Sequence, residues 1–276
     1  MTSISERIAR ELNVRVTQID ATIALLDEKA AVPFIARYRK EATGGLDDVA
    51  LRTIDERLAY LRELDERRAA VLKSIDDQGK LTPELRRLIG EADTKARVED
   101  LYLPYKPKRR TRAQIAREAG LEPLALGLRA HPTQDPQDAA SAYVDPDKGI
   151  ADAAAALEGA RWILLDRFAE DPDLVGGLRQ WLWDHGEWKS SVIPGKEEEG
   201  AKFSDYFDAS EPLRNIPSHR ALALFRGRKE GILRVSVAPP ELPAAGGLSK
   251  PERRIAGRAG VANHGRAADE WLLETV

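Results

Sequence analysis

DDVALRTIDERLAYLRELDERRAAVLKSID, residues 47–76, is the stretch that decides the fold class. Leu51, Ile54, Leu58, Leu61, Leu64, Leu72 and Ile75 recur at the spacing that keeps apolar side chains on one face of an α-helix. The other faces are densely charged, as in RLAYLRELDERRAAVLK. Asp47 and Asp48 open the segment, and nothing breaks it for about 30 residues, roughly 45 Å at 1.5 Å per residue. Upstream, Gly44-Gly45 stops a shorter helix, in which Pro33 fits the first position and Phe34 and Tyr38 fall on one face. Further upstream, Ile4, Ile8 and Leu12 recur four residues apart, and Val16, Ile19, Ile23 and Leu26 mark another helix.

Downstream, Thr82-Pro83-Glu84 places a cap, a first-position proline and a first-turn acid in succession, and Asp135-Pro136 and Asp171-Pro172 repeat the device. Ala153 to Phe168 reads as a buried helix through Leu157, Ile163, Leu164 and Phe168. Leu174, Leu178, Trp181, Leu182 and His185 line the next. Past Gly186 the pattern changes. WKSSVI at 188–193 is a candidate strand, helix is expected again from about Glu198, and Ser218 is placed to cap HRALALF. ILRVSV at 232–237 alternates, with Leu233, Val235 and Val237 on one side. The expectation is a mainly α, multi-helical protein with helix-turn-helix-like segments and a small two-stranded β element.

Residues 238–249, APPELPAAGGLS, form a Pro/Gly-rich linker candidate between a helical region at 1–237 and a closing piece at 250–276. In that piece GRAADEWLLETV starts a helix without a stop signal, and Trp271, Leu272 and Val276 have little left to pack on. The expectation is a chain cut inside a longer protein.

Net charge is −3 over 276 residues, but it is unevenly spread. Residues 1–100 carry −2, residues 101–130 carry +5 and residues 131–276 carry −6. A basic window therefore sits inside an acidic chain. The absence of cysteine excludes a disulfide framework, a thiolate nucleophile and a Cys-ligated zinc site. The N-terminus MTSISERIARELNV lacks the apolar core of a secretory signal, and no run approaches the roughly 18 apolar residues of a spanning helix. These features fit a cytoplasmic protein with no membrane partner.

Catalytic constellations do not emerge. His131, His185, His219 and His264 lie far apart with no second ligand four residues on, and His185 on an apolar helical face reads as structural. Glu197-Glu198-Glu199 fits a helix start, where the dipole favours acids. Neither phosphate-binding glycine motif occurs. The expectation is a non-enzyme with no cofactor and no metal site.

Two stretches have a helix-turn-helix rhythm, near 2–28 with Asn13 at the turn and near 111–130 with Gly120 at the turn. A base-reading helix needs Arg, Lys, Asn or Gln at its early exposed positions. The first pair offers Thr17, Gln18, Asp20 and Thr22 and the second Glu122, Pro123 and Ala125, so packing is the better use of both. The basic hinge differs. Lys106, Lys108, Arg109, Arg110 and Arg112 lie in a loop stiffened by Pro104 and Pro107, and phosphates need charge and reach, not base complementarity. Arg37, Arg39 and Lys40 form a second, smaller cluster. Each has a bland reading: a solvated run for the hinge, local pairing of Arg37 with Glu41 for the smaller cluster. Tyr102 and Tyr105 can stack on a ligand or anchor the turn to the core.

Three long motifs carry a resemblance: VPFIARYRKEATGGLDD, LYLPYKPKRRTRAQIAREAGLEPLA and PGKEEEGAKFSDYFDASEPLRNIPSHRALALFRGRKEGIL. They resemble, in order and over nearly the whole chain, the N-terminal region of the bacterial Tex family of transcription accessory proteins, itself similar to the core of a eukaryotic elongation factor. The resemblance implies a helical region leading into RNase H-like, helix-hairpin-helix and RNA-binding OB-fold domains beyond this sequence, with RIAGRAGVANHGRAADEWLLETV approaching the first. It implies RNA or DNA, bound without sequence preference, as partner. The alternative it implies is a module that positions downstream domains or docks on RNA polymerase.

Overall fold

The computed structural model describes residues 3–107, 110–240 and 247–276. Contacts gather into two compact units, Met1–Lys106 and Pro107–Val276, dividing inside the stretch 1–237 that the sequence reads as one region.

The first unit is helical: α1 (Ile4–Leu12), α2 (Val16–Asp27), α3 (Val32–Tyr38), α4 (Asp48–Asp76), α5 (Pro83–Glu91) and α6 (Lys95–Tyr102), closed by a 3-10 turn at Leu103–Tyr105. Short-range chemistry sets most boundaries. Ser3 and Glu6 form a reciprocal capping box at α1. Asn13 ends α1 in the left-handed region at φ 53°, a conformation asparagine tolerates. The Asp47 carboxylate accepts from the Ala50 N–H at 2.8 Å and starts α4. Thr82 caps α5 in the same way.

Helix α4 runs 29 residues and buries Leu51, Ile54, Leu58, Leu61, Leu64, Val71 and Ile75. The expected stripe is corrected at one position. Val71 is fully buried and Leu72 only partly, because 64, 71 and 75 fall on one line of a 3.6-residue helix while 72 is turned about 100° away. Ile8, Ile19, Ile35, Ile89 and Val98 from the other helices complete this core.

The second unit contains α7 (Arg112–Glu118), α8 (Glu122–Ala130), α9 (Pro136–Ser141), α10 (Ala153–Ala169), α11 (Pro172–His185), α12 (Ser218–Lys229), α13 (Lys250–Ala259) and α14 (Asp269–Leu273). Its main core surrounds α10, whose Ala156, Leu157, Ala160, Ile163 and Leu164 are buried. Ala259, Val261, Ala268, Trp271 and Leu272 join that cluster. The expectation that Trp271, Leu272 and Val276 lack packing partners is therefore corrected: α14 is a short helix docked on the same core, ended by the turn at Glu274. Of the linker candidate, residues 241–246 lie outside the described residues.

Three antiparallel strands, β1 (Glu187–Val192), β2 (Asp208–Pro212) and β3 (Leu233–Ala238), form a sheet of order β2-β1-β3. Trp188 pairs with Glu211 on one side and Val237 on the other. The sequence reading anticipates two strands and a helix over 198–207, whereas the chain makes a 3-10 turn at Ala201–Tyr206 and then β2. A Cβ on Gly200 would lie 2.2 Å from Ile232 Cγ2, so the chain passes too close for any larger residue there. Ser218 is the first residue of α12, not its cap; Pro217 holds the cap position. His185 is exposed at the end of α11, stacked 5.4 Å from Trp181, with Nδ1 3.0 Å from the Trp181 carbonyl oxygen.

Candidate nucleic-acid interface

Helix α3 is only 7 residues long, and two side chains attach it to the core. Val32 and Ile35 point inward and are buried. Phe34 and Tyr38, four residues apart, share an outer face, with 44% and 62% of their surfaces exposed. Their ring centroids are 5.2 Å apart and the planes are inclined at 46°. The helix ends at Tyr38, and the chain turns through Arg39 to Gly45.

That turn is fixed from below. Thr43 is fully buried, and its hydroxyl lies 3.3 Å from the Arg39 carbonyl oxygen and 3.2 Å from that of Lys40. The Gly45 N–H donates to the Lys40 carbonyl at 2.8 Å. Gln18 of α2 donates its side-chain N–H to the carbonyls of Thr43 and Gly44, at 3.2 and 3.1 Å. Gly44 adopts φ +64°, which glycine reaches without strain.

On this support stand Arg37, Arg39 and Lys40, all exposed. Among the described residues none of the three pairs with a carboxylate. The local pairing of Arg37 with Glu41 does not form, because the helix has ended before Glu41. The Arg39 guanidinium instead sits 5.6 Å from the Phe34 ring centroid, within cation–π range. Residues 37–42 line an open cleft of ≈ 370 Å³. Elsewhere in this unit, arginines are largely neutralised: Arg57 forks onto Glu11, Arg62 onto Asp27 and Arg67 onto Glu99. These contacts hold Glu11, Asp27 and Glu99 below their ordinary carboxylate values, the arginine hydrogen bond being the largest cause in each.

The basic hinge is arranged differently. Lys108 and Arg109 lie outside the described residues. Lys106 ends the first unit, exposed. In the second unit, Arg110 donates from Nε and Nη2 to Glu118 at 3.1 and 2.6 Å, and the Arg112 guanidinium covers the Trp162 ring at 4.7 Å. Two of the three described hinge cations thus have partners in their own unit, although both remain exposed to water. The tyrosines are anchors: Tyr102 is buried with its hydroxyl 2.8 Å from Ser74 Oγ, and Tyr105 packs against the first core.

The helix-turn pairs offer little to a base edge. Thr22 is buried, and Gln18 is committed to holding the Thr43–Gly44 turn. In the second pair Ala125 is fully buried. Among the described residues no group of three His, Cys, Asp or Glu is placed to hold a metal, and no helix is long and apolar enough to cross a membrane. The sequence reading missed Phe34 and Tyr38 as site residues; the signal for them is an i, i+4 aromatic pair interleaved with Arg37 and Arg39.

Fold and site define a multi-helical protein that presents a cationic, aromatic surface from a rigid turn. A model described as Tex-like protein N-terminal domain matches residues 2–76, and one described as Tex central region-like matches residues 131–276; the chain belongs to the Tex family. The transcriptional accessory protein Tex of Neisseria gonorrhoeae is 54% identical over 276 residues, which are 99% of this chain and 36% of that protein. Protein tex of Bordetella pertussis is 58% identical over 234 residues, 85% of this chain and 30% of that protein. Human S1 RNA-binding domain-containing protein 1 is 31% identical over 223 residues, 78% of this chain and 22% of that protein. The chain spans about a third of the length of its bacterial relatives.

Proposed function

We propose that this chain is the nucleic-acid-facing region of a cytoplasmic transcription accessory protein and that it contacts phosphates without sequence preference, as a binding module and not a catalyst. The observation that carries this reading is the cluster Arg37, Arg39 and Lys40: three exposed cations within four positions, unpaired among the described residues and mounted on a hydrogen-bonded turn. Phosphate contact needs charge and reach. The relatives' names, a transcriptional accessory protein and an S1 RNA-binding domain protein, support the partner class. The test is a titration of the chain with RNA and DNA across a salt series. Arg37→Gln, Arg39→Gln and Lys40→Gln together should weaken binding at low salt and flatten the log–log salt slope by roughly two for three lost contacts. An unchanged slope would remove the reading.

A docking role is the second reading, and one observation favours it. Helix α12 leaves Leu222 68% and Phe225 46% exposed, with Trp188 meeting Phe225 edge-on at 5.4 Å. Capture of RNA polymerase that Leu222→Asp abolishes, without nucleic acid being bound, would favour it over phosphate contact.

A further inference from the structure

Phosphate contact leaves Phe34 and Tyr38 without a task. Both rings are well exposed, and they are inclined to each other, so neither lies flat on its neighbour. They stand beside the unpaired cations, with the Arg39 guanidinium at the Phe34 ring and the cleft of ≈ 370 Å³ running past Tyr38. That volume sits near the lower end of small-ligand sites, which begin at about 300 Å³. The turn is already hydrogen-bonded through Thr43 and Gln18, so binding need not order it.

We infer that α3 and the turn after it form a platform for an unpaired nucleic acid strand, with a base stacked on Phe34 and Tyr38 and the neighbouring phosphates held by Arg37, Arg39 and Lys40. This rests on the reading that those cations meet phosphate, and it adds the choice of strand. In a duplex each base is covered above and below by its neighbours, so exposed rings gain nothing from it. An unpaired base offers an open π-face to an aromatic side chain, whatever its identity. Charge alone would favour duplexes, whose phosphates are denser. The rings are therefore what turns a polyanion site into a single-strand site. RNA and DNA share this chemistry, and paired arms with each polymer distinguish them.

Fluorescence anisotropy of the whole chain with labelled single-stranded RNA, single-stranded DNA and a duplex of the same sequence tests the inference. The Phe34→Ala, Tyr38→Ala double variant should lose about tenfold or more in single-strand affinity. Its duplex affinity and salt slope should not change. Tyr38→Phe should bind as the original does. Both rings are exposed, so an unchanged melting temperature verifies that the double variant is folded. Equal losses on duplex and single strand, or none on either, while the Arg37, Arg39, Lys40 glutamine variant still loses affinity, would overturn the stacking platform and leave the phosphate reading standing. If the glutamine variant binds as the original, the phosphate reading itself fails and the platform fails with it.

Discussion

Asp269 shows how one side chain can hold a terminal element in place. Its oxygens accept from Arg266 Nε at 2.8 Å and from the backbone N–H groups of Arg266 at 3.0 Å and His264 at 2.7 Å. The Arg266 side chain is the largest cause of its lowered pKa, burial opposes it, and the result is about 2. An unfolded aspartate titrates near 3.9. A folded value below the unfolded one means stability that is complete above about pH 4 and is lost as pH falls toward 2. Urea unfolding followed from pH 5 to pH 2 should therefore show a steeper loss in the original chain than in Asp269→Asn. Equal slopes would show that the carboxylate charge contributes nothing.

Gly44 is a second test at this scale. An added Cβ would meet Gln18 Nε2 at 2.9 Å, and alanine at φ +64° is itself strained by roughly 1 kcal/mol. Gly44→Ala should therefore cost about 1–2 kcal/mol in urea and displace the Gln18 amide from the turn. If the turn under Arg39 and Lys40 matters for binding, affinity for nucleic acid drops in the same variant. Normal stability in Gly44→Ala would show that the turn has another way to close.

At the level of elements, the helices could be read because their signals are local. The α4 periodicity and the aspartate caps before Pro136 and Pro172 need no knowledge of distant chain: Asp135 accepts from the N–H groups of Gln137 and Asp138, and Asp171 from those of Asp173 and Leu174. Strand β2 could not be read. DASEP holds two acids and a proline, residues that sheets disfavour, and it is a strand because Trp188, Lys189 and Ser190 of β1 offer their open edge to it. The Ser190 hydroxyl donates to the Tyr206 carbonyl at 2.7 Å beside it, a contact 16 residues away in sequence. The exposed aromatic face of α3 was hidden for a related reason. Apolar residues at 32, 34, 35 and 38 do not say which pair the core will take, and packing takes Val32 and Ile35. The register of α4 gives the prediction proper to this scale. Val71→Ala removes two methyl groups from a fully buried site and should cost about 2 kcal/mol in urea unfolding. Leu72→Ala should cost less although more atoms are lost. The reverse order would return the stripe to position 72.

Over the whole molecule, formal charge and available charge separate. The window 101–130 carries +5 by residue count, yet Arg110 bonds to Glu118, Arg112 lies on Trp162 and Arg117 reaches Asp166 at 2.8 Å. A cation already held by the protein must give up its partner, or share it, before it can take a phosphate. Arg37, Arg39 and Lys40 have no carboxylate to give up, although the window around them is net acidic. The two clusters should therefore respond oppositely to neutralisation. Arg110→Gln with Arg112→Gln should lower stability by roughly 0.5–1 kcal/mol, through the lost ring contact, and leave nucleic acid affinity within about twofold. Arg37→Gln, Arg39→Gln and Lys40→Gln should leave the urea midpoint unchanged and lower affinity by about tenfold at low salt. Measuring both quantities on both variants decides the matter. A hinge variant that binds worse than the α3 variant, at equal stability, would mean that the partners of Arg110 and Arg112 release them readily and that the hinge holds the phosphate.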